Sequence, residues 1–289
     1  MLPNFFIVGA PKCGTTSLSS YLQQHPDIFM CPIKEPNYFS FEDIEKQQLY
    51  YRFVHTRSLK EYEALFSGVE NEKAIGEASV SYLYYPSVPQ KIKNIVPEAK
   101  AVILLRNPVD RAFSHYLMDV RLGYVNISFD DIVARKSSHR MIDLYYQQYV
   151  SLGLYYDQVK RYYDIFGREK VAVIIFDDLK SNPVAVIKSL FSFLGVDDSY
   201  EPDASQKKNE FFMPNNKLIR ILYRNYATRS VAKALLTKSV ADWAKNNFFS
   251  RMKKPTLNDT ARYLLSDIYR MDIERLEHLL SADLHAWYS

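Results

Sequence analysis

Lys12, Gly14, Thr15, Thr16 and Ser17 stand together in the stretch FFIVGAPKCGTTSL, residues 5–18. Small, hydroxylated and basic residues follow directly on an apolar run there. A glycine turn from a strand into a helix presents backbone N–H groups to an anion, and the helix dipole adds to the attraction. Gly9 and Gly14 keep the glycine spacing of a triphosphate loop, G-x-x-x-x-G-K-[ST]. Thr15, however, occupies the lysine position, and Lys12 lies three positions earlier.

A second stretch, AVILLRNPVDRAFSHY (101–116), carries another anion-binding pattern. Its apolar run ends at Arg106, Asn107 can cap the helix that follows, and Pro108 suits a first helical turn. Arg106 would then sit at the carboxyl end of a strand, where open α/β sheets place ligands. Its planar fork suits a phosphate, and Ser114 can add a hydroxyl to the same group. A purely structural pairing of Arg106 with Asp110 is the alternative. Two anion sites on one sheet edge call for a ligand with phosphates at two separate positions.

The third stretch is PIKEPNYFSFED (32–43), in which Lys34 and Glu35 lie between Pro32 and Pro36. Pro36 disfavours helix at Glu35, so a loop or extended segment is expected. A carboxylate beside an anion site can take a proton from an acceptor hydroxyl. The plain alternative is a surface Lys–Glu pair.

The elements that must position these residues are legible from hydropathy. FFIV (5–8), AVILL (101–105) and VAVIIF (171–176) read as strands buried on both faces of a parallel sheet. Helices are expected over 15–25, 151–167 and 182–196, the last with Asn182 as cap, Pro183 in the first turn and Gly195 as stop. Residues 74–85 read as a further strand or a pocket-lining loop. Residues 201–216 read as a long polar loop, and 215–289 as helices, clearest over 260–280. This alternation defines an α/β fold with a central, mostly parallel sheet.

Composition narrows the class. At 289 residues with 47% hydrophobic and 24% charged residues, the chain can bury a core without staples. Cys13 and Cys31 form neither a disulfide framework nor a zinc-site spacing, which suits a reducing compartment. No apolar run has the length of a membrane span, and a cytoplasmic location is expected. The net charge of +4 is mild (37 − 33), so no nucleic-acid partner is expected. Ten Lys/Arg and one acid, Asp242, fall within 217–254. That stretch is a solvated helical face or a weak contact for an anionic surface. Aromatic residues make up 15% of the chain; packing accounts for most of them, and those in 38–54 and 82–85 could line an acceptor cleft.

Taken together, the motifs resemble those of sulfotransferases that use 3′-phosphoadenosine-5′-phosphosulfate (PAPS), in particular the bacterial and carbohydrate-type branch. PKCGTTSL resembles that family's 5′-phosphosulfate loop, RNPVDRAFSHY its 3′-phosphate motif, and KEPNYF the segment with the acidic catalytic residue of heparan-type members. ADLHAW and the helix before it resemble the C-terminal region, so the resemblance runs nearly end to end. It implies a single domain over 1–289, with 215–289 as its helical C-terminal part, folded as a P-loop-like three-layer sandwich. It also implies PAPS as sulfate donor, PAP as product, and no metal.

Residue by residue, the resemblance puts Lys12 on the sulfate and bridging oxygen. Cys13, Gly14, Thr15, Thr16 and Ser17 would hold the 5′-phosphate, Arg106 and Ser114 the 3′-phosphate. Tyr155 would lie on the adenine side, and Lys207 and Lys208 in a loop closing over the cofactor. Glu35 would be the general base, with Lys34, Glu77, Ser79, Tyr82 and His115 on the acceptor side. Heparan-type members often carry a Glu-Lys pair before Ser/Thr-Pro-Ala-Tyr; here the stretch is Glu77-Ala78-Ser79-Val80-Ser81-Tyr82. The departure points away from a polymeric anionic sugar and towards a smaller acceptor. The acceptor class therefore spans small molecules and saccharides, with a hydroxyl or an amine as nucleophile.

Two other readings compete. A P-loop kinase could use Asp177 or Asp178 for magnesium, although the displaced lysine and the arginine closing AVILL oppose it. A nucleotide- or anionic-surface-binding module without catalysis would rest on 217–254.

Overall fold

The apolar runs of the sequence form neighbouring strands of one sheet in the computed structural model. It describes residues 1–51, 56–204 and 255–288, with the backbone of 212–214 and 249–251. β1 (Phe5–Gly9) lies between β3 (Ala74–Ala78) and β4 (Lys100–Leu105). β2 (Ile28–Met30) flanks β3, and β5 (Val171–Ile175) flanks β4. Every neighbouring pair is parallel. All residues of β1 and β3 are buried, as are those of β4 after Lys100, so both sheet faces are covered.

Helices provide the cover. α1 (Thr15–Leu22) follows β1; α2 (Phe41–Gln47) and α3 (Leu59–Ala64) lie between β2 and β3; α4 (Val88–Ile95) precedes β4. α5 (Pro108–Leu122), α6 (Phe129–Val133), α7 (Ile142–Tyr149) and α8 (Tyr156–Phe166) separate β4 from β5. α9 (Phe176–Ser181) and α10 (Pro183–Leu194) follow β5, and α11 (Asp259–Leu280) packs on α5, α6 and α8.

Local signals explain several boundaries. Asn107 Oδ1 accepts from the Val109 amide at 3.0 Å and starts α5. Asn182 caps α10, with Pro183 next and Gly195 at φ 82° as its stop. The helix expected over 151–167 divides into a short turn at Ser151–Gly153 and α8. Its start is fixed from outside: Asp272 of α11 accepts from the amides of Tyr155 (2.6 Å) and Tyr156 (3.2 Å).

Three expectations are corrected. Phe176 begins α9 instead of ending a strand. The loop expected over 201–216 contains β6 (Phe212–Pro214), which pairs antiparallel with β7 (Phe249–Arg251), so the stretch from 215 is not all helix. β2, three residues long, carried no readable periodicity. Lys207, Lys208 and, apart from the β7 backbone, the basic stretch 217–254 lie outside the described residues.

Gly76 shows how tightly the sheet is covered. A Cβ there would overlap the Phe5 ring and come within 2.6 Å of Met30 Sδ. Gly76→Ala should lower stability by about 1–3 kcal/mol, the usual cost of overpacking. Urea titration of the two proteins checks this.

Candidate functional site

Because β1 and β4 are parallel neighbours, the loops that leave their carboxyl ends run side by side. The loop after β1 enters α1 through Gly14 at φ 93°, with Lys12 at φ 70°. A Cβ at Gly14 would lie 3.0 Å from the Phe176 ring, so glycine serves both conformation and space. The first amides of a helix have no carbonyl within it to bond. α1 has no acid in its first turn and no side-chain cap, which leaves those donors to an anion. Thr15 is buried, Ser17 half-buried and Thr16 exposed.

The loop after β4 carries Arg106. Its guanidinium lies over the Phe176 ring, 5.0 Å from the centroid, and 3.5 Å from Asp110 Oδ2. One aromatic ring thus touches both loops. Ser114 follows two turns along α5 and is half-buried. Tyr155, expected on the adenine side, is fully buried behind the loops. Its hydroxyl donates to the Arg106 carbonyl (3.0 Å) and lies 3.8 Å from Cys13 Sγ. Burial pushes the Cys13 thiol up to about 11, so it stays protonated and can donate to the phenol oxygen. Both side chains support the loops from within.

Lys34 and Glu35 occupy a loop tied to the end of β3. Lys34 Nζ is 2.7 Å from Glu35 Oε1, and both side chains are about one-third exposed (36% and 31%). Glu35 and Asn37 have φ of 61° and 54°, uncommon for non-glycine residues. The surroundings fix them. The Glu35 amide donates to the Ala78 carbonyl (2.9 Å), Asn37 Nδ2 to the Glu35 carbonyl (2.7 Å), and the Asn37 amide to Ser79 Oγ (3.1 Å).

Glu77, Ser79 and Tyr82, expected on the acceptor side, are buried beneath this loop. Glu77 accepts from Ser79 Oγ (2.5 Å), Tyr82 (3.2 Å) and Tyr62. They carry the loop through Ser79 and Asn37, and no face of them opens to an acceptor. Burial pushes the Glu77 carboxyl up to about 7.

His115 is also buried, with Nε2 2.9 Å from the Tyr51 hydroxyl and Nδ1 3.0 Å from the Gln148 carbonyl. Burial and Arg111 hold it well below the usual histidine range. One turn on, Asp119 Oδ2 accepts from Tyr50 (2.8 Å), Tyr51 (2.5 Å) and Tyr149 (2.7 Å). Lys12 reaches the same helix, its Nζ 3.6 Å from Met118 Sδ. Burial, then Arg121, Lys34 and Arg106 pull its ammonium down to about 8, against Asp119.

Asp119, Tyr50, Tyr51, Phe176 and Asp272 were not singled out from the sequence. The i,i+4 spacing of Arg111, His115 and Asp119 was the one available signal, since it puts three polar groups on one helical face. Phe176 and Asp272 act across long sequence separations and left none.

This arrangement defines an α/β protein in which two loops, one with Lys12 and one with Arg106, adjoin at the carboxyl edge of a parallel sheet. It opposes the kinase reading: the strand beside β1 is followed directly by Arg106, whereas Asp177 and Asp178 are exposed in α9, beyond the edge strand. The chain belongs to the sulfotransferase domain family, whose model matches residues 2–267. It is 36% identical to a solved sulfotransferase from Alicyclobacillus acidocaldarius, with a TM-score of 0.74 and 100% of both chains covered. Over 120 residues (42% of this chain, 24% of the relative) it is 36% identical to the membrane-associated sulfotransferase kil1 of Dictyostelium discoideum. It is 24% identical to the bifunctional heparan sulfate N-deacetylase/N-sulfotransferase 3 of Mus musculus, covering 99% of this chain and 31% of the relative. The chain thus spans at most a third of the length of these two curated relatives. No helix among the described residues is long and apolar enough to cross a membrane.

The raised Glu77 carboxyl has a consequence for stability. Between its ordinary 4.5 and about 7 the folded chain holds a proton that the unfolded chain has lost. Stability therefore falls as pH rises through that window, by up to about 1.4 kcal/mol per pH unit. Glu77→Gln should flatten this part of the curve, measured by urea unfolding at pH 4.5 to 7.5. An unchanged slope would refute the assignment.

Proposed function

We propose that the protein transfers a sulfuryl group in line from PAPS to the hydroxyl or amine of a small-molecule or saccharide acceptor. The observation that carries the reading is the adjacency of the two loops, with Phe176 against both Gly14 and Arg106. A donor with a 5′-phosphosulfate and a separate 3′-phosphate matches that pair of cationic sites. PAPS would supply an activated sulfuryl group on a phosphate leaving group.

In this reading the α1 amides and the hydroxyls of Thr15, Thr16 and Ser17 hold the 5′-phosphate. Arg106 and Ser114 hold the 3′-phosphate. Lys12 neutralises charge that grows on the bridging oxygen, and Glu35 takes the acceptor proton. Lys34 orients the Glu35 carboxylate. Positioning and fixed charge supply most of the acceleration, as in phosphoryl transfer. The scheme calls on no metal. Lys207 and Lys208 would cover the bound nucleotide. The acceptor would enter beside Lys34 and Glu35, with the Glu77–Ser79–Tyr82 group and His115 supporting that wall from behind.

Glu35→Gln should lower turnover about 100-fold or more, the usual scale for loss of a general base, with PAP affinity by calorimetry unchanged. Full activity in that variant would remove Glu35 as the base. Lys12→Ala and Arg106→Ala should each weaken PAP binding about 10- to 100-fold, as expected for lost charged hydrogen bonds. Unchanged PAP affinity in both would sink the donor site.

A further inference from the structure

We propose that Asp119 is the positioning counter-charge of Lys12: its buried carboxylate keeps the lysine cationic beside α5, ready for the negative charge that grows on the leaving phosphate. The proposal rests on the donor-site reading of Lys12 given above.

The surroundings of Lys12 are poor in compensation. Its ammonium rests 3.6 Å from the Met118 thioether, a weak acceptor. The charged groups acting on it are Arg121 farther along α5, Arg106 at the foot of α5, Lys34 in the loop after β2, and Asp119. Asp119 is the acid of that set, and it follows Met118 directly in the helix.

Asp119 in turn is built to remain charged inside the protein. It has no exposed surface. Tyr50 and Tyr51 from the segment after α2, and Tyr149 from α7, all donate to its Oδ2. His115 touches the set through Tyr51, and Arg111 bonds the Gln148 and Tyr149 carbonyls beside it. Oδ1 is buried and has no hydrogen-bond partner among the described residues. A buried carboxylate with one oxygen left over is costly unless a cation offsets it. Burial pushes Asp119 up to about 6, and Lys12 is drawn down to about 8. Between those values both groups are charged, and each favours the charge of the other.

A merely structural Asp119, one that only pins the tyrosines, makes a different forecast. Asparagine keeps a carbonyl oxygen for those hydroxyls and removes the charge. Asp119→Asn is therefore followed through the pH dependence of kcat/KM for PAPS, which reports the free enzyme. In the parent, activity falls as pH rises through about 8, where Lys12 loses its proton. In the variant this limb moves down by about one pH unit or more, the scale on which a close opposite charge acts. Activity at pH 8 is then about fivefold below the parent, the two meet near pH 6, and Asp119→Glu restores the limb. A loss of equal size at every pH, or an unmoved limb, overturns the proposal.

Should Asp119→Asn fail to fold, the parent protein gives the same test without donor. The Lys12 side-chain methylene signal, identified by its loss in Lys12→Arg, is followed by heteronuclear NMR. A second step near pH 6, as Asp119 takes a proton, supports the pairing; a single step overturns it. Because this readout needs no donor, it separates the pairing from the donor site. Unchanged PAP affinity in both Lys12→Ala and Arg106→Ala refutes the donor site and leaves the pairing untouched.

Discussion

The Tyr155 hydroxyl holds the two ligand loops in register. It donates to the Arg106 carbonyl and lies against the Cys13 thiol, so one oxygen spans the ends of β1 and β4. A second tie runs between the strands themselves, where the Ala10 amide donates to the Leu104 carbonyl at 2.7 Å. Tyr155 is itself fixed from the far end of the chain. Asp272 of α11 bonds its amide, and Trp287 packs edge-on against its ring at 6.2 Å. Asp272 and Trp287 are thus linked to the Arg106 carbonyl through one phenol.

Beneath this brace lies an unusual amount of buried polarity. Arg111, Asp119, Glu77 and Ser79 are all fully buried. Each would be expensive alone, and each is made tolerable by partners already in place. Tyrosine is the common currency of that compensation. Tyr50, Tyr51 and Tyr149 serve Asp119, while Tyr62 and Tyr82 serve Glu77. The phenol suits the task because it buries a large apolar ring and delivers one donor at its tip. One network lies below the Lys34–Glu35 loop and the other along α5.

The parallel sheet was readable because its strands give continuous apolar runs: FFIV and AVILL are buried on both faces, while the edge strand within VAVIIF is only partly buried. The helix signals at Asn107-Pro108 and Asn182-Pro183-Gly195 were readable because caps act over three or four residues. Lys12, Gly14, Arg106 and Glu35 could be picked out for the same reason: their chemistry is local to one turn each. Tyr155, Tyr82 and Glu77 were seen as chemical residues but placed on the ligand. Polar atoms alone do not reveal whether a side chain faces a cleft or a neighbouring strand. That distinction is set by contacts such as Tyr62 on Glu77 and Tyr162 on the Tyr82 carbonyl, 80 positions apart in the second case. β2 and the β6–β7 pair are too short for periodicity to register.

The displaced lysine follows from the same packing. In a triphosphate loop the cation would stand at Thr15, the first residue of α1. Here that position is Thr15, only 4% exposed, a small side chain in a tightly packed turn. The cation instead leaves the chain within the turn, at Lys12, whose φ of 70° lies in the left-handed region. From there its side chain runs to Met118 on α5, the helix that begins just after Arg106. The lysine thereby ties its loop to α5. A loop of this shape is poorly suited to reach along a chain of three phosphates. Under the proposed reading it would take one phosphate with a group to be transferred, flanked by a helix with Arg106 just before its start and the buried Asp119 near its end.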